Sequence, residues 1–95
     1  MNAETDLEIR RREAKVLDLS GLKCPLPTLM TAKALRGVAS GRCLAVIVTD
    51  ALAPLDLRHL CQRDGHEVLS EGHNENGARR LLICRGPRGS EGASN

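Results

Sequence analysis

The sequence predicts an α/β fold: a two-layer βαβαββ sandwich in which a four-stranded mixed sheet carries two helices on one face. Three observations point there. Strand-like apolar stretches alternate with stretches of helical spacing, and that alternation implies crossover connections and parallel pairing early in the chain. The last two strand-like stretches are separated only by turn residues, as in an antiparallel pair. The 95 residues are 41% apolar and include no Phe, Tyr or Trp, so one thin core of Leu, Val and Ile is all the chain can build.

Each element has its own warrant. Residues 1–13 carry Arg10, Arg11 and Arg12 with four acids and only Leu7 and Ile9 as sizeable apolar residues, which predicts a mobile tail or a frayed helix. Lys15-Val16-Leu17-Asp18-Leu19 reads as the first strand, ended by the turn pair Ser20-Gly21. Leu26, Leu29, Met30 and Ala34 then recur at helical spacing, with Lys33 and Arg36 off the stripe, so a helix is expected to run to Arg36 and bury that stripe. Cys43-Leu44-Ala45-Val46-Ile47-Val48 is apolar throughout, the pattern of a central strand buried on both faces.

Leu57, Leu60 and Cys61 define a second helix between Pro54, near its first turn, and Gly65. His66–Ser70 and Ala78–Cys84 flank the turn-rich segment Gly72–Gly77 and close the sheet. Residues 86–95 are small, polar or helix-breaking and predict a disordered C-terminal tail. The domain is therefore expected over residues 14–85.

Composition narrows the function. With 14 basic residues against 12 acidic ones the formal charge is +2, far from the balance that generic binding to phosphate backbones requires. The lack of rings argues against base stacking, so direct nucleic-acid binding is not expected. The longest apolar run is far short of a membrane span, and the N-terminus has neither an apolar signal region nor the acid-poor character of a transit peptide. A cytoplasmic protein that does not enter membranes is expected.

Four cysteines, Cys24, Cys43, Cys61 and Cys84, lie 19, 18 and 23 residues apart. Zinc sites and dithiol motifs usually begin with a close pair, and a reducing compartment disfavours disulfides, so four free thiols are expected. Cys43, Cys61 and Cys84 fall at core positions of two strands and a helix. Cys24 does not. It follows a glycine turn at Gly21 and precedes a helix opened by Pro25 and Pro27, where free N–H groups from Leu26 and Thr28, the helix dipole and neighbouring Lys23 would favour a thiolate. A lowered thiol pKa is the expectation, and no general base is apparent beside Cys24 in the sequence. His59, His66 and His73 share no metal-ligand spacing, so no metal is assigned.

Leu17-Asp18-Leu19-Ser20-Gly21-Leu22-Lys23-Cys24-Pro25-Leu26-Pro27 resembles the signature of the TusA/SirA-like sulfur-carrier family, L-D-x-x-G-L-x-C-P-x-P. Gly41, Thr49-Asp50, Asp56 and the Gly65-His66 step extend the similarity over residues 14–85. The resemblance implies the same βαβαββ sandwich, with Cys24 accepting sulfane sulfur from a cysteine desulfurase or a rhodanese-like donor and holding it as a persulfide for a downstream acceptor protein. Gly21, Pro25 and Pro27 would support the motif, with Lys23, Asp50 and Asp56 as secondary candidates and no cofactor. Relatives often show Asp-Asp-Pro where this chain has Thr49-Asp50-Ala51, which bears on partner choice. Asp50 and Asp56 also read as helix-start caps or turn formers. Two readings compete with the carrier: a regulatory or RNA-binding module, and a redox sensor in which Cys24 is oxidised rather than loaded.

Overall fold

The structure, a computed structural model, describes residues 3–86. Helix α1 (Ala3–Glu13) leads into strand β1 (Lys15–Asp18), helix α2 (Leu26–Arg36), strand β2 (Cys43–Val48), helix α3 (Ala53–Asp64) and strands β3 (Glu67–His73) and β4 (Arg79–Cys84). The four strands form one mixed sheet in the order β1-β2-β4-β3. β1 runs parallel to β2, whereas β4 is antiparallel to both of its neighbours. From β1 onward this is the βαβαββ order, and α2 and α3 cover one face.

Side chains alternate across the pleat, and the alternation divides the core in two. Leu44, Val46 and Val48 of β2 join Leu81 and Ile83 of β4 beneath Leu35, Leu57, Leu60 and Cys61 of the two helices. Burying an aliphatic side chain of this size contributes roughly 1.5–3 kcal/mol, so this layer carries most of the stability. On the other face, Cys43, Ala45, Leu82 and Cys84 make a smaller cluster joined by Ala14 and Leu69.

The segment before Ala14 takes the helical of its two predicted forms, giving a third helix beside the two on the main face. Arg10, Arg11 and Arg12 fall in its last turn, where cations complement the helix dipole. Arg12 pairs with Glu8 one turn back at 3.2 Å, and Glu13 reaches Arg42 at 3.6 Å. The tail expected over 86–95 lies outside the described residues apart from Gly86, which is buried. Any side chain at Gly86 would run into the Gly65 carbonyl oxygen.

Two further expectations are corrected. In α2 the buried positions are Pro27, Thr31 and Leu35, whereas Leu26, Leu29 and Met30 are 47%, 59% and 42% exposed. The helix offers two possible stripes, and the one holding a proline and a threonine faces the sheet because it brings Leu35 into the core. The expectation of four free thiols also fails. Cys43 and Cys84 are direct partners in the β2–β4 register and form a disulfide on the second face. A separation of 41 residues conceals a contact that only strand pairing creates. Cys24 and Cys61 remain free, the first exposed and the second buried.

Candidate functional site

β1 and β2 are parallel, so their C-terminal ends lie together, and the chain after each turns into the helix layer at the same end of the sheet. Leu19 N–H donates to the Ile47 carbonyl at 2.8 Å and prolongs the pairing by one residue. The turn that follows is fixed from both sides. Asp18 accepts hydrogen bonds from the Ser20 amide (3.0 Å) and hydroxyl (2.6 Å), and Gly21, at φ +84°, donates its N–H to Thr49 Oγ1 at 2.8 Å. A left-handed residue suits glycine, so Gly21 serves as the turn residue that brings Cys24 round to the start of α2.

Asp50 holds the next step. One carboxylate oxygen accepts the Cys24 N–H at 2.7 Å, and the other accepts the Leu52 N–H at 3.1 Å. Asp50 is thus the turn former expected of it for the loop entering α3, and it also anchors the thiol-bearing backbone across 26 residues of sequence. These two amide bonds hold its carboxyl below the ordinary value, with Lys23 adding a smaller pull in the same direction.

Cys24 Sγ lies 3.4 Å from Asp56 Oδ2, with the thiol donating to the carboxylate. Asp56 occupies the first turn of α3. The expectation of a lowered thiol pKa is therefore reversed: the bond to Asp56 raises it, followed by desolvation and the negative charges of Asp56 and Asp50. The cation of Lys23 acts on Asp50 instead. Nor is the Leu26 amide free as expected, because it donates to the Lys23 carbonyl at 2.9 Å. α2 begins with Pro25 at its N-cap, no side-chain cap and no acid in its first turn. The Cys24–Pro25 peptide bond is cis. Pro25 is exposed beside the thiol, and Pro27 is buried in the core.

A depression of about 430 Å³ opens beside Cys24, lined by Pro25, Thr28, Asp56, His59, Leu60 and Arg63. His59 and Arg63 stand one and two turns along α3 from Asp56, on one helical face. His59, to which the sequence assigns no site role, is exposed and also walls the depression. The signal that could have found it is the run Asp56, His59, Arg63 at i, i+3 and i+7. His66 and His73 lie elsewhere, in the step after α3 and at the end of β3. Among the described residues no group of three or more His, Cys, Asp or Glu is placed to hold a metal ion. No helix among them is long and apolar enough to cross a membrane.

Chemically, the site offers a solvent-accessible sulfur nucleophile, a carboxylate within reach of its proton and space for one more heavy atom. The other free thiol, Cys61, is 2% exposed, and burial pushes it up to about 11, so it offers no second reactive sulfur.

Comparison with known proteins is consistent with this arrangement. The chain is 40% identical over 67 residues to the sulfur carrier protein TusA of Allochromatium vinosum, covering 70% of this chain and 87% of that protein. It is 41% identical over 56 residues to the protein of the same name from Pseudomonas putida strain GB-1, covering 59% and 70%. Among solved structures, the SirA-like protein from Desulfitobacterium hafniense superposes with a TM-score of 0.68 at 24% identity, over 75% of this chain and 96% of that one, and shares the fold. Residues 15–85, everything from β1 to the residue after β4, match the family described as "Sulfurtransferase TusA", and the chain belongs to that family.

Proposed function

We propose that the protein is a sulfur carrier that accepts sulfane sulfur on Cys24 as a persulfide and passes it to an acceptor protein. The observation that carries this reading is an exposed thiol whose Sγ stands 3.4 Å from the Asp56 carboxylate, in a loop matching the Cys-Pro-x-Pro motif. In loading, Asp56 takes the thiol proton while Sγ attacks the outer sulfur of a donor persulfide. The donor's S–S bond breaks as the new one forms, and the donor leaves as its thiolate. No electrons are lost or gained overall. Unloading reverses the roles, with an acceptor thiolate attacking the outer sulfur and Cys24 leaving. The depression beside Cys24 gives the extra sulfur room.

A raised thiol pKa fits a carrier. Thiolates with higher pKa are intrinsically stronger nucleophiles, and a thiol kept protonated at rest resists oxidation, which tracks thiolate character. This counts against the redox-sensor reading, as does the burial of Cys61, which leaves no accessible resolving thiol. The donor in this proposal is a cysteine desulfurase or a rhodanese-like protein. The acceptor feeds tRNA thiolation, molybdenum-cofactor assembly or sulfur oxidation.

Incubation with a cysteine desulfurase, pyridoxal phosphate and cysteine tests the proposal by intact mass. The wild type is expected to gain one reductant-labile sulfur, and Cys24→Ser none. A wild type that stays unloaded with both desulfurase and rhodanese-type donors, yet gains oxygen at Cys24 under peroxide, would overturn the carrier in favour of the sensor.

A further inference from the structure

The arginines at the β3–β4 hairpin have no part in the chemistry at Cys24, yet the sheet register brings them to the same end of the molecule. One row across the sheet runs Asp18, Ile47, Arg80, Gly72, and the next runs Val48, Arg79, His73. The hairpin turn beyond His73 therefore lies at the end where β1 and β2 give way to the Cys24 and Asp50 loops. β4 and β3 stand two and three strand spacings from β1, roughly 10–14 Å.

On the helix side of this hairpin, Glu71 is shared by Arg58 at 3.2 Å and Arg79 at 2.9 Å, so its charge is already answered. Arg80 and Arg11 of α1 line a depression of about 310 Å³ with Ser70, Gly72, His73 and Asn74, and the one acid on its wall is the already paired Glu71. Among the described residues neither Arg11 nor Arg80 has an ion pair. Two of the four guanidiniums at this end thus answer Glu71, and the other two have no ion pair among the described residues. The turn's Glu75 lines a separate shallow depression with His73, Asn74 and Asn76.

We propose that the Arg11–Arg80 depression is a docking site for an acidic segment of a partner protein, which it holds while that partner reaches Cys24. Guanidinium forks match carboxylates bidentately, and Ser70 and Asn74 offer further donors. A standard interface covers about 800 Å² on each partner, and the depression and the thiol lie at the same end of the sheet, the depression on the face that carries Leu82. A concave pocket suits one or two carboxylate side chains better than a continuous phosphate backbone, and the chain has no Phe, Tyr or Trp on which to stack a base, His73 being the one ring on the wall of the depression. The assignment of the partner as the sulfur donor or acceptor rests on the carrier reading; the preference of this basic site for carboxylates does not.

The test uses a fluorescein-labelled octaglutamate peptide, with binding followed by anisotropy at low salt on the full chain carrying Cys24→Ser, so that no sulfur chemistry enters. Arg11→Glu with Arg80→Glu is expected to weaken binding about tenfold or more, and the milder Arg80→Gln to weaken it less in the same direction. Lys33→Glu with Arg36→Glu, an equal charge reversal on α2, is expected to change it less than about twofold. Circular dichroism confirms that each variant is folded. Equal weakening by both reversals, or no binding to the parent chain, would overturn the site, and tighter binding of a labelled oligouridylate with the same arginine dependence would make the partner RNA. With a desulfurase donor in the Cys24 protein, the Arg11/Arg80 reversal is expected to raise KM for the donor and leave kcat unchanged. Failure of the wild type to load from any donor would sink the carrier reading while leaving the peptide result standing.

Discussion

Helices α2 and α3 both begin at the same end of the sheet, and they begin differently. α3 has an acid in its first turn, Asp56, the usual complement to the positive end of a helix dipole. α2 has no such acid and no side-chain cap, and the loop into it carries Cys24. The acid that completes one helix start therefore stands against the sulfur at the other, and this is why the thiol is pushed up rather than down. A helix N-terminus favours an anion only in isolation. Here two carboxylates, Asp50 fixed by two backbone amides and Asp56 in the first turn of α3, outweigh it.

Breaking the link between the two starts should have the largest effect. Asp50→Ala removes the acceptor for both the Cys24 and Leu52 amides, and a small misplacement of a reacting atom is costly. Sulfur transfer is expected to fall about tenfold or more, with a Tm lower by a few degrees in thermal melts. Asp50 is held below its ordinary pKa in the fold, so its contribution is present above the unfolded value of 3.8 and is lost as pH falls through the folded one. An acid titration of stability should show a steeper dependence in the wild type than in Asp50→Ala, which keeps the part due to Asp18, held down in the same direction by its bonds from Ser20.

Asp56→Asn sharpens the comparison by removing the charge and keeping the shape. The Cys24 pKa should fall, so site-resolved alkylation at neutral pH should speed up a few-fold while sulfur transfer slows for want of a proton acceptor. Both rates falling together would show that Asp56 acts by holding the loop. In wild type and variant alike, Cys24 should alkylate well ahead of buried Cys61.

The far end of α3 provides the smallest effect and a control. Gly65 takes φ +81°, and His66 N–H closes on the Cys61 carbonyl at 2.8 Å, satisfying a terminal acceptor. His66 Nδ1 then accepts the Gly86 N–H at 3.1 Å, and burial lowers the His66 pKa below 6.5. The unfolded chain binds the proton more readily, so stability should be fully present above 6.5 and decline as pH falls from there towards the folded value. Tm measured across that range in wild type and His66→Gln should show the decline only in the wild type, with alkylation of Cys24 unaffected by the substitution.

The elements from β1 to β4 were legible because periodicity and turn residues are local. The continuous apolar run of Cys43–Val48 reads directly as a central strand, and Gly65 marks the end of α3 by its own conformation. The motif likewise put Cys24 at a helix start without any structure. What stayed hidden depended on contacts across the chain. Asp56 lies 32 residues from Cys24, the Cys43–Cys84 pairing requires the β2–β4 register, and the α2 face was decided by which stripe met the sheet. His59 was ambiguous for the same reason: an exposed helical histidine reads alike whether it faces bulk water or the wall of a cleft.

An interior filled by Leu, Ile, Val, Ala and Cys side chains makes this protein optically dark. The chain scarcely absorbs in the near-ultraviolet and emits no intrinsic fluorescence, so encounters with a tryptophan-bearing partner can be followed from the partner's emission alone, with no background to subtract. A single Trp placed at Leu52, 60% exposed and held by Asp50 at the rim of the Cys24 loop, would turn the dark chain into its own reporter.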